Sequence, residues 1–210
     1  GVAAMIGVID YKVGNAPSVL NALAKIKVDA ELISRPEQLQ GLSGIILPGV
    51  GSASAAMASL TELGFVPELE NLVFHKKLPF LGICVGMQIL FEHSEEGDTA
   101  CLGWIPGQVK RFPESVRVPQ IGWNKVKFRG KHPLTEGIPD SAYFYFVNSF
   151  YVEPDADEIT IGTSEYGQEF CALIASGNIY AAQFHVEKSG EMGLAMLKNF
   201  AAIVGDADAD

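Results

Sequence analysis

One pentapeptide of the sequence holds a cysteine in a setting suited to covalent catalysis. Residues 82–86 read Gly-Ile-Cys-Val-Gly, between a predicted strand at 79–83 and a predicted helix at 85–92. A nucleophile on such a turn needs a strained backbone, and flanking glycines let the chain pass without clashes. The helix N-terminus would favour a Cys84 thiolate, and the N–H of Val85 would point at a developing oxyanion.

The same pentapeptide is equally consistent with a structural cysteine, because a free cysteine is most often a small buried apolar residue. Cys101 and Cys171 lack a comparable setting, so we interpret both as structural. Three cysteines are an odd number, and their spacing matches no zinc or disulfide framework. They predict free thiols in a reducing compartment.

A histidine and a carboxylate late in the chain could activate the Cys84 thiol. His185 follows a predicted apolar strand at 179–184, and Glu187 lies two residues further on. In extended backbone these two side chains face the same side and Val186 points away. A carboxylate that orients a histidine, which in turn deprotonates a thiol, is the logic of a catalytic triad. The remaining histidines have polar or turn-like neighbours that predict surface positions: His75, His93 and His132.

A glycine-rich turn, Pro48-Gly49-Val50-Gly51, follows another predicted strand. It could aim backbone N–H groups at the same crevice and form the second half of an oxyanion hole. An ordinary glycine turn is the alternative, whereas a phosphate-binding loop is disfavoured because no Gly-Lys-Ser/Thr motif follows. Sites in open α/β sheets gather at the carboxyl ends of strands, so we expect this turn, Cys84 and His185 to meet.

The elements that must position these residues alternate in the first half of the chain. Strands are predicted at 5–9, 28–33, 44–47 and 79–83, and helices at 17–27, 53–63, 67–77 and 85–92. This order predicts an α/β fold, an open, mostly parallel, flavodoxin-like sheet with flanking helices. Short β-type runs at 124–128, 142–146, 159–162 and 179–184 predict added antiparallel strands. A closing helix at 192–204 and a frayed acidic tail at 206–210 complete one predicted domain, residues 1–210.

Composition restricts the class of protein. The 210 residues are 48% hydrophobic, which is enough for one substantial core. A formal net charge of -10 argues against non-specific nucleic-acid binding, which needs a basic surface. The first residues do not resemble a signal peptide, and no apolar run approaches the roughly 18 residues of a membrane span. We therefore expect a soluble cytoplasmic protein.

Several motifs together resemble the class I, triad-type glutamine amidotransferases, and within them the glutaminase subunits of imidazole glycerol phosphate synthase. The resemblance covers nearly the whole chain. Its blocks, in chain order, are Asp10-Tyr11-x-x-Gly14-Asn15-x-x-Ser18, Pro48-Gly49-Val50-Gly51, residues 82–88, Pro119-x-x-Gly122-Trp123-Asn124, residues 143–147 and Phe184-His185-x-Glu187.

The resemblance implies a role for each matching residue. Cys84 would be the nucleophile, His185 the general base and acid, and Glu187 its orienting partner. The N–H groups of Val50 and Val85 would hold the oxyanion. Positions that resemble the family's glutamine-binding residues are Gly49, Gly51, Gln88, Glu96, Ser149 and Phe150.

The resemblance also implies a partner, a (β/α)₈-barrel cyclase subunit that forms a heterodimer with the glutaminase. Trp123 and Asn124 would lie near that interface. Ammonia from glutamine would travel to the cyclase and attack a phosphoribulosyl formimino intermediate, giving imidazole glycerol phosphate and an aminoimidazole carboxamide ribotide in histidine biosynthesis. No metal and no organic cofactor is implied.

Three positions depart from the family pattern. Val186 stands where proline is usual between the histidine and the glutamate, and we expect the triad to survive because this side chain should face away. Gln120-Ile121 and Asn148 stand in blocks where many members have histidine, which affects details of interface and activation. The mobility of residues 49–51 predicts that one oxyanion donor turns into place only when the partner binds, leaving the isolated chain weakly active.

Alternative functions remain open on the sequence. The nearest is a paralogous glutaminase that supplies ammonia to a surface-sugar or other synthase, with the same triad. A flavodoxin-like binding module without catalysis is disfavoured by the intact Cys84, His185 and Glu187. A cysteine peptidase or small-molecule hydrolase of similar fold would turn over substrate without any partner.

Overall fold

The computed structural model describes residues 4–209. Its first half contains four short strands, which are fully or largely buried apart from the second: β1 (Ile6–Ile9), β2 (Ala30–Ile33), β3 (Gly44–Leu47) and β4 (Phe80–Ile83). Four helices accompany them: α1 (Ala16–Lys25) between β1 and β2, α2 (Ala53–Glu62) and α3 (Phe65–Glu70) between β3 and β4, and α4 (Val85–Gln88) after β4. A 3₁₀ turn (Pro36–Leu39) and a π-helical turn (Asn71–His75) complete this half.

The second half is rich in β structure. Its strands are β5 (His93–Ser94), β6 (Thr99–Ala100), β7 (Gly107–Arg111), β8 (Gln120–Phe128), β9 (Ser141–Asn148), β10 (Phe150–Pro154), β11 (Thr160–Glu165), β12 (Glu169–Ser176) and β13 (Ile179–Ala182). Short 3₁₀ turns occur at Pro133–Thr135, Asp157–Ile159 and Val186–Lys188. The chain closes with α5 (Gly190–Ala209).

Within the described residues, all thirteen strands join one sheet. Five neighbouring strands run in the order β2-β1-β3-β4-β13, and every pairing between them is parallel. Beyond β13 the pairings are antiparallel, apart from β5 with β7. The predicted α/β fold with added antiparallel strands is therefore confirmed, although the sheet is mixed rather than mostly parallel.

Two predicted helices have different limits in the structure. The helix expected at 67–77 begins earlier, at Phe65, and passes from α3 into the π-helical turn. The helix expected at 85–92 ends at Gln88, because the next carbonyls accept hydrogen bonds from a loop rather than continuing the helix. Leu102 N–H donates to Ile89 O, and Ile105 N–H donates to Leu90 O. Long-range hydrogen bonds thus override the local helical pattern.

The structure continues α5 as a helix through residues 206–209, which belong to the acidic tail for which the sequence predicts fraying. Val204 packs tightly against Gly44 of β3, where any side chain would meet its methyl groups. Ser43 Oγ also donates to Asp208 Oδ1 at 3.1 Å. These contacts hold the end of α5 against the sheet, while Asp210 lies outside the described residues.

The register of the parallel strands determines what meets at their carboxyl ends. Leu47 pairs with Gly82, and Ile83 pairs with Ala182, so β3, β4 and β13 end at nearly the same level. The segments that follow these strands therefore lie side by side at one edge of the sheet. In the part of the chain that is described, no helix combines the length and the apolar character needed to cross a membrane.

Candidate active site

Cys84 occupies a strained turn between β4 and α4, as the sequence predicted. Its backbone has φ 57° and ψ -113°, a sparsely populated conformation with positive φ that costs a non-glycine residue about 1–3 kcal/mol. The turn is held from both sides, because Cys84 N–H donates to Ala182 O at 2.8 Å and Met87 N–H donates to Cys84 O at 3.0 Å. The cysteine is nearly buried, and its Sγ faces the cavity described below.

The two glycines that flank Cys84 are required by close approach of the backbone. A Cβ on Gly82 would lie 2.5 Å from Gly86 O. A Cβ on Gly86 would lie 2.0 Å from Leu47 O, at the end of β3. The pentapeptide motif therefore lets the turn fold tightly upon itself and upon the neighbouring strand.

His185 reaches the same edge of the sheet by a different local conformation from the one expected. β13 ends at Ala182, earlier than the predicted strand, and Val186–Lys188 form a 3₁₀ turn. This turn, rather than extended backbone, brings His185 Nδ1 within 2.7 Å of Glu187 Oε1. His185 N–H also donates to Tyr145 O at 2.9 Å, which ties the histidine to β9.

The His185–Glu187 pair is almost completely removed from solvent, with side-chain exposures of 5% and 1%. Burial disfavours the charged imidazolium, but hydrogen bonds and charge from Cys84 and Glu187 outweigh it and raise the pKa of His185 to about 10. Within the described residues, Glu187 Oε2 has no hydrogen-bond partner, so the carboxylate acts mainly on His185. His185 therefore carries a proton at neutral pH and can donate it to a leaving group.

A cavity of about 230 Å³ opens over the nucleophile and collects most of the predicted site. The predicted residues that line it are Val50, Gly51, Cys84, Val85, Gln88, Glu96, Ser149, Phe150 and His185. Pro119, Val147 and Asn148 complete the lining. Glu187 lies behind His185, and Gly49 packs against Gly86 beneath the cavity, where a Cβ on Gly49 would lie 2.7 Å from Gly86 N.

Both expected oxyanion donors are engaged with backbone carbonyls in this conformation. Val50 N–H donates to Val13 O at 2.8 Å, and Val85 N–H donates to Gly49 O at 3.3 Å. The Gly49 carbonyl and the Val50 N–H belong to one peptide unit. Rotation of that single peptide would release both donors together.

Two polar residues over the nucleophile have the groups needed to hold an amino acid. Glu96 Oε1 accepts from Ala53 N–H at 2.7 Å, at the start of α2, and its carboxylate borders the cavity. Gln88 is 3% exposed and donates to Phe150 O at 3.2 Å. A carboxylate beside an amide group is a suitable recognition pair for a zwitterionic substrate.

Trp123 and Asn124, predicted at one interface, face opposite sides of β8. Trp123 is 56% exposed and packs edge-on against Tyr145. Asn124 points inward, where its Nδ2 donates to Gln120 Oε1 at 2.7 Å and to Glu165 O at 2.8 Å. Alternation along a strand produces this separation.

Two buried residues with contacts at the site were not assigned roles from the sequence. Tyr11 donates its hydroxyl to Pro48 O at 2.7 Å and so anchors the glycine-rich turn. Gln183 is fully buried between Cys84 and Gln88. The sequence signal for Gln183 was its place directly before Phe184-His185, at the end of a strand beside β4.

The remaining histidines and cysteines lie away from the cavity. His75 is exposed, His93 is partly exposed and bonds Asp98, and His132 is partly buried with its Nδ1 accepting from Leu134 N–H. Burial raises the pKa of the Cys101 and Cys171 thiols to about 11, which is consistent with structural roles.

Comparison with known proteins identifies the relatives of this chain. The family model "Glutamine amidotransferase class-I" matches residues 7–204. Proteins named imidazole glycerol phosphate synthase subunit HisH are similar over almost their whole length. The one from Dehalococcoides mccartyi is 46% identical over 93% of this chain and 96% of its own. The one from Desulfitobacterium hafniense strain Y51 is 48% identical over 96% of both chains.

Solved structures support the same fold. The chain superposes on the structure of PurLQS from Thermotoga maritima with a TM-score of 0.78, at 18% identity, over 96% of this chain and 99% of that one. A crystal structure of a glutamine amidotransferase gives a TM-score of 0.76, at 20% identity, over 95% and 98% of the two chains. At these identities the likeness concerns the fold.

Proposed function

The chain belongs to the class-I glutamine amidotransferase family, together with the HisH subunits of imidazole glycerol phosphate synthase, and we propose that it releases ammonia from glutamine through Cys84, His185 and Glu187. The observation that carries this proposal is a strained cysteine and a buried His185–Glu187 pair around one substrate-sized cavity at one edge of the sheet. The similarity of the named relatives supports a role as the glutaminase subunit of imidazole glycerol phosphate synthase, in histidine biosynthesis.

The reaction proceeds as two acyl transfers. Cys84 Sγ attacks the side-chain amide carbon of glutamine, and a tetrahedral oxyanion forms. His185 gives its proton to the departing nitrogen, so ammonia leaves and a glutamyl thioester remains on Cys84. His185 then takes a proton from water, which attacks the thioester and releases glutamate. Glutamine and water are thus converted into glutamate and ammonia, and the Cys84 thiolate and the protonated His185 are regenerated.

Substrate recognition is assigned to the rim of the cavity. The Glu96 carboxylate is suited to the α-ammonium group of glutamine, and Gln88 with the backbone near Ser149 and Phe150 to its polar groups. Glu96 also bonds the first N–H of α2, next to the glycine-rich turn. Substrate binding at Glu96 is therefore positioned to affect the turn that carries Val50.

The glycine-rich turn is assigned a gating role. In the present conformation the Val50 and Val85 N–H groups are both occupied, so neither can stabilise an oxyanion. Rotation of the Gly49–Val50 peptide removes the carbonyl from Val85 and turns the Val50 N–H away from Val13. One oxyanion donor contributes about 10²–10³-fold in rate. The isolated chain should therefore be a weak glutaminase that a bound partner activates.

The partner surface is assigned to the exposed face of β8 and β9. Ile121, Trp123 and Tyr143 are 65%, 56% and 57% exposed and lie on the same face of the strand pair. Apolar side chains grouped on one exposed surface indicate an interaction site. Pro119 and Val147 of the same region line the cavity, so a barrel-shaped cyclase docked here could receive ammonia without its release to water. The proposal includes a cytoplasmic location, which three free thiols favour.

Reconstitution with a cyclase subunit tests this function. The chain, the cyclase, glutamine and the phosphoribulosyl formimino intermediate should yield imidazole glycerol phosphate, while ammonium salts should replace both glutamine and the chain. Cys84→Ala should abolish the glutamine-dependent product, whereas Cys101→Ala, the same change outside the cavity, should retain it. Absence of product with a cyclase that is active on ammonium salts would refute the assigned partner. Rapid glutamine hydrolysis by the chain alone would refute the gate.

A further inference from the structure

We propose that Gln183 is a further positioning residue of the glutaminase, and that a chain of side-chain amides behind it connects the nucleophile to strand β8. The inference rests on the proposed function. Gln183 is fully buried, and its Nε2 lies 3.8 Å from Cys84 Sγ. Its Oε1 accepts a hydrogen bond from Gln88 Nε2 at 3.0 Å. One side chain therefore contacts both the nucleophile and a substrate-binding candidate.

The orientation of the Gln183 amide is fixed by a backbone carbonyl, which can only accept hydrogen bonds. Phe150 O accepts from Gln88 Nε2 at 3.2 Å, so the amide nitrogen of Gln88 must face it. That same nitrogen faces Gln183, which must therefore present its oxygen to Gln88. The amide nitrogen of Gln183 is left to face the sulfur. Turning this amide over would place its oxygen against a thiolate, which also accepts, and would abolish the bond to Gln88.

The amide chain continues outward from the same carbonyl. Asn148 Nδ2 also donates to Phe150 O, at 3.0 Å, so Asn148 Oδ1 faces away and accepts from Gln120 Nε2 at 2.9 Å. Gln120 Oε1 in turn accepts from Asn124 Nδ2 at 2.7 Å. Each amide has only one orientation that satisfies its neighbours. A displacement of Gln120 would therefore be transmitted through residues that cannot compensate by rotating.

The chain of side-chain amides reaches β8 next to the exposed residues of that strand. Gln120 and Asn148 are 3% and 5% exposed and pair across β8 and β9. Their strand neighbours Ile121 and Val147 point to the other side of the strand pair, which carries the exposed apolar surface. One face of the β8–β9 pair thus contacts solvent, and the opposite face carries the amide chain.

The Gln183 amide has a defined effect on the nucleophile. An N–H that faces sulfur favours the thiolate over the thiol, and it competes with another contact of Sγ, the Val147 carbonyl at 3.7 Å. Gln183 therefore offers Sγ a hydrogen bond that directs it into the cavity. It also holds Gln88 in place for substrate.

The direct test is the pH dependence of Cys84 alkylation by iodoacetamide, followed by mass spectrometry of the Cys84 peptide. This measurement needs no glutamine and no partner. Gln183→Met keeps the length of the side chain but removes both hydrogen bonds, so the midpoint of the alkylation profile should move to higher pH by about one unit. Gln40→Met, the same change at an exposed position, should leave the profile unchanged.

A second variant and a second measurement extend the test. Gln120→Met, which leaves the Cys84 contacts untouched, should move the midpoint in the same direction by a smaller amount. With the cyclase present, Gln183→Met should lower kcat about tenfold and raise KM for glutamine. Gln183→Asn, which keeps a shorter amide, should show whether an amide at this position restores kcat or KM. Urea unfolding and near-ultraviolet circular dichroism identify any variant that is not folded, and Gln183→Asn replaces Gln183→Met in that event.

The outcomes separate the inference from the proposed function. A folded Gln183 variant with a wild-type alkylation profile would overturn the positioning role, whatever its stability. A wild-type profile in Gln120→Met would overturn the connection to β8. Failure of the wild-type chain to hydrolyse glutamine with any partner would refute the proposed function, whereas the alkylation results would still decide the role of Gln183.

Discussion

Replacing Gly86 by alanine tests whether close packing beneath the nucleophile is what makes the site work. The new Cβ would lie 2.0 Å from Leu47 O and 3.0 Å from Leu47 C, and both are backbone atoms that cannot rotate away. The Cβ and the oxygen must separate by at least about 1 Å to reach a distance that proteins tolerate. Leu47 belongs to central strand β3, so the displacement falls largely on the Cys84 turn.

The magnitude follows from that displacement. Overpacking of this kind costs about 1–3 kcal/mol of unfolding free energy. A misplacement of about 1 Å at a reacting group can cost roughly 10²-fold in rate. Gly86→Ala should therefore lower both the urea midpoint and the cyclase-stimulated glutamine turnover.

Gly205→Ala is the matched control for Gly86→Ala. Gly205 lies within α5, and a Cβ there meets no atom within 4 Å. The same methyl group should stabilise the protein by about 0.5–1 kcal/mol, because alanine favours a helix over glycine, and should leave turnover unchanged. Equal behaviour of the two variants in urea unfolding and in turnover would refute the packing argument.

Two further changes probe the charge and the anchoring of the site. The folded-state pKa of His185 is raised to about 10, above its usual 6.5, so its stabilising contribution is present below pH 6.5 and is lost as pH rises through 10. Glu187→Gln should lower that folded pKa, so the difference in urea midpoint between wild type and variant should be largest near pH 6 and shrink as pH rises towards 10. A difference that does not change with pH would contradict the pairing. Tyr11→Phe removes the bond to Pro48 O, worth about 1 kcal/mol, and should raise basal ammonia release by the isolated chain roughly fivefold as the glycine-rich turn loosens. Unchanged basal release would show that this bond does not hold the turn.

The sequence predicted the part of the site that depends on local chemistry. Glycines on both sides of Cys84 indicated a strained turn, and its positive φ and the contacts of Gly82 and Gly86 confirm it. Only one residue separates His185 from Glu187 in the sequence, so their side chains lie close together in any common backbone conformation. The predicted pairing is therefore present although the backbone forms a 3₁₀ turn and not the extended conformation that the sequence predicts.

Features that depend on long-range contacts were not predictable in the same way. α4 ends at Gln88 because carbonyls further along bond a loop beyond residue 100. The engagement of the Val50 and Val85 N–H groups depends on which segments lie opposite them in the fold. Gln183 stands directly before Phe184-His185 in the sequence, but its contact with Cys84 arises only because β13 pairs with β4. Sequence patterns indicate which residues can react, whereas tertiary hydrogen bonds determine the conformation that those residues adopt in this structure.

The central claim, that Cys84 is the nucleophile of a glutaminase, is tested most directly by a diazo-ketone analogue of glutamine. The protein would be incubated with this electrophile in the presence of the cyclase, with and without excess glutamine. The masses of its cysteine-containing peptides would then be measured by mass spectrometry. We predict one equivalent of label on Cys84, none on Cys101 or Cys171, and protection by glutamine. Labelling of another cysteine instead, or equal labelling of Cys84 in a Glu187→Gln, His185→Ala double variant, would contradict the account.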